Sequence, residues 1–364
     1  MGERILMKGN EAMAEGAVRA GCRFFAGYPI TPQNEVPEYM SWRLPEVGGF
    51  FIQAESEVAA SNMLFGAAAC GVRVMTSSSS PGISLKQEGI SYCAGADLPI
   101  FYADIVRGGP GLGNIAPSQG NYFQATRGGG HGDYQVIVLA PNSVSEMANF
   151  PRLCYELAFK YRVPAMISAD GILGQMMEPI EFDFEPIDPD TLPKPDWAIG
   201  DATGRERRVV KSYDLRVGAV EKQNWERNER FEAIRTNQVR YQLEYEEGAE
   251  LIVAAYGSCA RVAKSAVMMA RSEGLKVGIM RPITLWPFPT EVLNELADKV
   301  ENILVMEMNL GQMVQDVKLA VEGKARVHFY GRPAGGIPTS EEFLQKIKEA
   351  IKGGPVIPID PEEI

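Results

Sequence analysis

The feature that most constrains this chain is an alternation. Short apolar runs recur between segments of helical period along most of its 364 residues. Arg23 to Gly27, Phe50 to Gln53, Val72 to Thr76, Ile100 to Val106, Val136 to Leu139 and Ala165 to Ala169 read as buried strands. Between them lie helical segments. Asn10 to Ala20 carries Ala12, Met13, Ala17 and Val18 at helical spacing, and Glu57 to Gly71 is a small-residue helix with Gly71 as its stop. Pro81 stands where the first residue of a helix would be, a position at which its missing N–H does no harm. Ser143 to Tyr161 is a further helix, capped by Asn142 or Ser143. Apolar strands alternating with helices demand a mostly parallel sheet covered on both faces. The expected class is therefore α/β.

The segment from Pro179 to Asp201 changes character. It is rich in proline and acid and reads as a linker or surface strap. Val217 to Glu247 then reads as a charge-laced helix, with Trp225, Phe231, Ile234, Val239 and Leu243 available for packing and Gly248 as its end. A second α/β unit follows. Its strands are placed at Leu251 to Ala255, Leu275 to Met280, Asn302 to Glu307 and Val327 to Tyr330. Its closing helix, Ser340 to Ile351, has Thr339 or Ser340 as cap and Glu341 and Glu342 at its positive end. The expected division is 1–178, 179–248 and 249–364, which suits a chain of this length.

Composition removes several classes of function. The net charge is −11, from 47 acidic and 36 basic residues, and no clustered basic face suggests nucleic acid. No stretch approaches the roughly 20 apolar residues of a membrane span. Met1 to Gly21 is broken by Glu3, Arg4, Lys8, Glu11 and Glu15 and lacks the apolar core of a signal peptide, so a cytoplasmic protein is expected. The five cysteines, Cys22, Cys70, Cys93, Cys154 and Cys259, form no CxxC pair, and the histidines are His131 and His328 alone. That spacing fits buried, reduced thiols better than a cluster or zinc site, and no metal is expected on this chain.

Three places carry chemistry. Gln53-Ala-Glu55-Ser-Glu57-Val-Ala-Ala brings two carboxylates to the start of an Ala-rich helix. The helix dipole alone favours acids there. A carboxylic acid in a semi-buried pocket can also share a proton with the ring nitrogen of an aminopyrimidine, the step that activates thiamine diphosphate. Gly27-Tyr28-Pro29-Ile30-Thr31-Pro32 holds the Thr31 hydroxyl between two prolines, a rigid turn suited to a small polar substrate. Arg107 closes the run Ile100 to Val106 and precedes Gly108-Gly-Pro-Gly-Leu-Gly113. Arginine at a strand end of an open α/β sheet is placed to bind a carboxylate in bidentate fashion. The glycine loops Gly108 to Gly113 and Gly128 to Gly132 match neither GxGxxG nor the P-loop, and Ser77 to Ser80 lacks a nucleophile elbow.

Together these residues resemble a known family. Gly27-Tyr-Pro-Ile-Thr-Pro-Gln, Gln53-Ala-Glu-Ser-Glu57, Ser80-Pro81-Gly82 with Ile83-Ser84-Leu85, and Arg107-Gly-Gly-Pro-Gly resemble the pyrimidine-binding domain of 2-oxoacid:ferredoxin oxidoreductases. Arg281-Pro282, Trp286-Pro287-Phe288 and Glu307-Met-Asn-Leu-Gly-Gln312 resemble the transketolase C-terminal-like domain of the same α-type subunit. The resemblance implies a thiamine-diphosphate-binding domain over 1–178 and the transketolase-like domain over 249–364. It makes Glu57 the pyrimidine-activating acid, chosen over Glu55 by the glycine Gly71 about fourteen positions on. It gives Thr31 and Arg107 to the substrate, and Tyr28, Pro29, Ser80 and Gly82 to the cofactor. It implies thiamine diphosphate and Mg²⁺ anchored by a β subunit, 4Fe–4S clusters in partner subunits only, possible γ and ferredoxin-like δ subunits, and coenzyme A as cosubstrate. The implied reaction is oxidative decarboxylation of a 2-oxoacid to acyl-CoA and CO₂ with reduction of ferredoxin.

The wording of Arg107 to Gln119 and of Gly128 to Asp133 is most similar to the 2-oxoisovalerate type, with the 2-oxoglutarate type as alternative. An NAD-linked 2-oxoacid dehydrogenase or transketolase-like enzyme would carry more histidines near the reacting carbon. A non-catalytic scaffold on a degenerate thiamine fold is the other alternative, and in it Glu57 would be dispensable.

Overall fold

Caps and chain breakers set the boundaries of the first unit. The computed structural model describes residues 4–359. In chain order the first unit contains β1 (Ile5–Lys8), α1 (Gly9–Arg19), β2 (Phe24–Gly27), α2 (Glu35–Glu46), β3 (Phe50–Gln53), α3 (Glu57–Ala69), β4 (Val74–Ser78), α4 (Pro81–Gly95), β5 (Phe101–Val106), α5 (Tyr122–Thr126), β6 (Ile137–Leu139), α6 (Val144–Tyr161), β7 (Ala165–Asp170), α7 (Gly171–Gln175) and β8 (Met177–Ile180). Ser56 accepts from Ala59 N and opens α3, Pro81 opens α4, and Ser143 accepts from Glu146 N to open α6. Gly71, at φ +82°, takes the chain out of α3 in the left-handed region that glycine enters without steric cost.

The strands expected from apolar runs are present, with shifts of one or two residues. The Val72 run begins instead at Val74, so Ser77 and Ser78 end the strand. The helix α2 was not expected, because Pro37 and Pro45 interrupt its sequence. Pro37 lies in the first turn, where no N–H is needed, and Pro45 lies at the last.

The larger correction concerns Val217 to Glu247. This is not one helix. It divides into α8 (Ala219–Asn237) and β9 (Tyr241–Glu244). Phe231 and Ile234 are buried on α8, whereas Trp225 stays exposed. Strand β9 pairs antiparallel with the strand carrying Ile279 to Pro282, and Leu243 packs against the core. The many charges hide the change from helical to strand period.

The second unit continues as β10 (Leu251–Ala254), α9 (Gly257–Ser272), β11 (Val277–Pro282), β12 (Thr284–Trp286), α10 (Thr290–Ala297), β13 (Asn302–Glu307), α11 (Met313–Val321), β14 (Arg326–Gly331) and α12 (Ser340–Ile351). Thr339 closes a capping box with Glu342 at the start of α12. Among the described residues, β12-β6-β7-β5-β4-β2-β3 form a seven-stranded sheet and β14-β13-β10-β11-β9 a five-stranded one. Both are parallel within, with β12 and β9 as antiparallel edges.

Strand β12 ties the units together, since it follows β11 of the second sheet yet pairs with β6 of the first. Gln119 bridges them as well, donating from N to Met308 O at 2.9 Å and accepting from Met308 N at 3.0 Å. Arg281 pairs with Glu146 at 2.7 Å, and Tyr122 donates to Asp316 at 2.6 Å. Glu307, fully buried, accepts from Met313 N and Val314 N and so caps α11. Arg281, Trp286 and Glu307, which marked the second unit in sequence, thus hold it in place. No helix among the described residues is long and apolar enough to cross a membrane.

Candidate active site

Parallel strands deliver their following loops to one edge of the sheet, and the chemistry-bearing residues all follow such strands. The turn Tyr28 to Pro32 follows β2, Glu57 opens the helix after β3, Ser80 and Gly82 follow β4, and Arg107 follows β5. This is the carboxyl edge, where open α/β sheets gather ligands.

Glu57 is buried, at 6% exposure, yet among the described residues its carboxylate has no hydrogen-bond or ion-pair partner. Its neighbour is Gly82. A Cβ at position 82 would lie 2.5 Å from Glu57 Oε1 and 2.0 Å from Ser78 Oγ. The glycine is what lets the acid and the Ser78 hydroxyl pack this closely against the start of α4. Gly82→Ala is therefore expected to push the carboxylate aside and to destabilise the chain by about 1–3 kcal/mol, the usual cost of overpacking, read by urea denaturation. An unchanged midpoint would mean that the neighbouring side chains yield freely.

Arg107 is buried and its guanidinium is held by main-chain oxygens. Nη1 donates to Thr31 O at 2.9 Å and Nη2 to Leu112 O at 2.9 Å, while Nε has no partner. Its backbone N–H donates to Ser80 Oγ at 3.1 Å. Arg107, Thr31 and Ser80 thus meet, and Gly82 links them to Glu57. The Thr31 hydroxyl is half-buried and accepts from Asn34 at 3.4 Å. Tyr28 and Pro29 are exposed, and the structure records no contact that joins their side chains to Glu57.

Three further polar side chains were not legible as site residues. Lys86, on α4 one turn beyond Gly82, is fully buried and donates to Thr76 Oγ1 at 3.0 Å. Burial pushes its ammonium down to about 8, and the Glu57 carboxylate pulls it back up. Gln33 accepts from Ser77 Oγ at 2.5 Å and donates to Tyr28 O at 3.3 Å, so it pins the Thr31 turn to β4. Asp104 sits inside β5, accepting from Ser80 N at 2.9 Å and from Asn121 Nδ2 at 2.8 Å. A charge inside an otherwise apolar helix face or strand was the available signal for Lys86 and Asp104.

Burial raises the Asp104 carboxyl from 3.8 to about 7, against the pull of its two donors. The folded state therefore keeps this proton to higher pH than the unfolded one. Stability from this group is greatest at low pH, falls as pH rises from about 4, and is lowest above about 7. Asp104→Asn is expected to flatten the decline in stability between pH 5 and pH 8, by on the order of a few kcal/mol. Urea melts at both pH values check this, and parallel pH profiles for the two proteins would contradict it.

Among the described residues, Ser78 Oγ, Ser79 Oγ and Arg107 Nε are buried without partners, together at the carboxyl edge. Native proteins leave few such groups, and strain, a catalytic role, ordered water or an ion accounts for them. Ser80 adds strain, with φ +21° at a non-glycine residue. A cleft of about 400 Å³ opens beside Ser80, Gly109 and Asn121 and is closed on its far side by Asn309 and Pro333 of the second unit. A buried acid without a partner, orphaned polar atoms and a polar cleft fit an aminopyrimidine cofactor and a small anionic substrate. Among the described residues no group of three His, Cys, Asp or Glu side chains gathers as metal ligands.

Residues 15–197 match the family model "Pyruvate flavodoxin/ferredoxin oxidoreductase, thiamine diP-bdg", and residues 249–343 match "Pyruvate:ferredoxin oxidoreductase core domain II". The ketoisovalerate oxidoreductase subunit VorB of Methanothermobacter marburgensis is 48% identical over 94% of this chain and 97% of its own. The 2-oxoglutarate synthase subunit KorA of the same organism is 38% identical over 95% of this chain and 99% of its own. Among solved structures, 2-oxoglutarate:ferredoxin oxidoreductase from Magnetococcus marinus, with 2-oxoglutarate, coenzyme A and succinyl-CoA bound, superposes with a TM-score of 0.85 at 27% identity. That match covers 96% of this chain, which spans 66% of the solved one. An inactive split-gene transketolase, at 12% identity and TM-score 0.56, shares the fold alone.

Proposed function

The chain belongs to the 2-oxoacid:ferredoxin oxidoreductases as a pyrimidine-binding subunit of the VorB and KorA kind, and from that premise we propose that it supplies the acid and the substrate clamp of a shared active site. The proposed reaction converts a 2-oxoacid, coenzyme A and two oxidised ferredoxins into an acyl-CoA, CO₂, a proton and two reduced ferredoxins. A branched-chain substrate, 2-oxoisovalerate, is favoured by the 48% identity to a ketoisovalerate oxidoreductase subunit, against 38% to a 2-oxoglutarate synthase subunit. The observation that carries the reading is the buried Glu57 carboxylate, without a partner among the described residues and packed against Gly82.

Thiamine diphosphate, when bound, supplies the electron sink for decarboxylation. This chain's own residues act around it. Glu57 would hold or release a proton at its carboxylate oxygen, toward the ring nitrogen of the aminopyrimidine. Lys86 places a buried positive charge near Glu57 and so holds the carboxylate's electrostatic environment. Arg107 offers the donors that the Thr31 and Leu112 carbonyls leave free to the carboxylate of the oxoacid, and Thr31 offers its hydroxyl to the substrate. Gln33 and Asp104 keep the Thr31 and Ser80 loops in register.

The remaining parts are assigned to partner chains. A β subunit would bring the diphosphate and Mg²⁺ site together with a 4Fe–4S cluster, γ and ferredoxin-like δ subunits would complete the complex, and the assembly would work in the cytoplasm. Support comes from the thiols, four of which are buried and none of which is paired in sequence. Further support comes from the rim of the site. Tyr28, Val58, Leu85 and Leu112 are exposed around it, an apolar face of the kind that a partner covers.

The test is reconstitution with the products of neighbouring genes, followed by viologen reduction with a panel of 2-oxoacids and coenzyme A. The expected result is a colourless, inactive chain alone and coenzyme-A-dependent activity of the complex, highest with 2-oxoisovalerate. An isolated chain that is brown and holds iron would overturn the assignment of the clusters. Highest turnover on 2-oxoglutarate would overturn the branched-chain substrate.

A further inference from the structure

The opposite edge of the large sheet holds a second cavity. It measures about 760 Å³ and lies where β2 and β4 begin, far along the strands from Thr31 and Ser80. One wall is the ends of α1 and α3 with Arg23 and Arg73. The other is formed by residues 189–208, the end of the strap and the segment that follows it, including Lys194, Arg205 and Arg208. The strap is anchored, not loosely draped. Ile187 N donates to Arg19 O at 2.7 Å and Ile199 N to Ala69 O at 2.9 Å. At Gly71 the fit is so close that a Cβ would lie 2.9 Å from that of Ala198.

The charge in this cavity is unbalanced. Five basic side chains line it against two carboxylates, Asp190 and Asp201, in a chain whose net charge is −11. Among the described residues none of the five has a carboxylate at ion-pair distance. The arginines bond to main-chain oxygens instead. Arg23 donates to Cys22 O at 2.8 Å, Arg73 to Ala20 O at 2.5 Å, Arg205 to Ile199 O at 2.8 Å and Arg208 to Ala198 O at 2.9 Å.

These bonds satisfy donors but bring no formal negative charge. Arg73 shows the consequence. Its Nε is buried without a partner, and burial holds its guanidinium below the ordinary arginine value. Glu156 acts on it at a distance, but that carboxylate is paired with Arg152 at 3.3 Å. An acidic protein that gathers five cations against two carboxylates, none of the five in an ion pair among the described residues, has the electrostatics of an anion site.

Size and lining narrow the ligand. The volume is in the range of nucleotide-sized pockets, about 300–1,000 Å³, and a bare phosphate would leave most of it empty. Phe159, Leu192 and Trp197 add apolar wall. We propose that this cavity binds an organic phosphate of nucleotide size, carrying two or three negative charges, at a site separate from the catalytic edge. The arginine forks take the phosphate oxygens, and the strap side chains cover the body.

Cys70 makes the test direct. It lines the cavity and is exposed, whereas the other four cysteines are buried. The rate of Cys70 alkylation by iodoacetamide is measured on the full chain with ADP or with inorganic pyrophosphate. The expected result is saturable protection, stronger for ADP than for pyrophosphate. The double variant Arg205→Gln, Arg208→Gln is expected to weaken it about tenfold or more. Both substitutions lie in the segment just after the strap, and an unchanged thermal melt shows that the fold survives them.

A labelling rate indifferent to both probes at millimolar concentration would overturn the proposal. So would equal protection in the variant. Cys70 shielded in the assembled complex without any phosphate, and unresponsive to ADP in the free chain, would give the cavity to a partner chain and overturn it as well.

Discussion

Glu57→Gln in the reconstituted complex is expected to lower kcat for 2-oxoacid-dependent viologen reduction by about 10²–10⁴-fold, the range a positioned acid–base group contributes. The amide keeps the shape of the side chain, so the variant is expected to fold and to assemble. It cannot exchange a proton at that position. Nothing else among the described residues is placed to substitute, since Glu55 is exposed and lies before the N-cap of α3. KM for the oxoacid should change little, because the clamp at Arg107 is formed by other loops. Full activity in Glu57→Gln would favour a scaffold role for this chain, in which the thiamine fold is kept for assembly alone.

The second large effect is expected at Arg107. Arg107→Ala removes a charge-assisted contact to the substrate carboxylate and should raise KM by about 30- to 150-fold, corresponding to about 2–3 kcal/mol. It also frees Thr31 O and Leu112 O, so part of the effect would come from a loosened Thr31 turn. Arg107→Lys separates the two causes. An ammonium keeps the charge but cannot bridge both carbonyls and a carboxylate in one plane. It is expected to recover only a minor part of the loss in KM. Thiamine diphosphate affinity, measured by calorimetry on the same complexes, should stay near the parent value in both variants. An unchanged KM in Arg107→Ala would remove this residue from the substrate site.

Much of this was visible in the sequence, for physical reasons. Strands buried on both faces write themselves as continuous apolar runs, which is why β5, β7 and β13 were legible. The site was legible because a parallel sheet turns sequence position into location. Any residue just after a parallel strand lies on the same edge, which placed Arg107 there; the family resemblance added Thr31, Glu57 and Ser80 to it before their distances were known.

What was missed depends on long-range partners. Strand β12 is defined by pairing with β6, about 145 residues earlier, and nothing local in Thr284 to Trp286 announces it. Among the described residues, strands β1 and β8 pair only with each other, and they alternate little. Lys86 and Gln33 are polar residues whose burial is decided by Thr76 and Ser77 on another strand. The basic cavity is assembled from residues near 23, 73 and 205, each unremarked in its own segment.

The central claim is that the Glu57 carboxylate shares a proton with the aminopyrimidine of a thiamine diphosphate brought by a partner chain. Exchange of the thiazolium C2 hydrogen for deuterium, followed by NMR after rapid quench of the assembled complex, reads that step before any substrate is present. The account predicts exchange slower by about 10²–10⁴-fold in Glu57→Gln, with the cofactor still bound. Exchange at the parent rate in a fully loaded Glu57→Gln complex would contradict it.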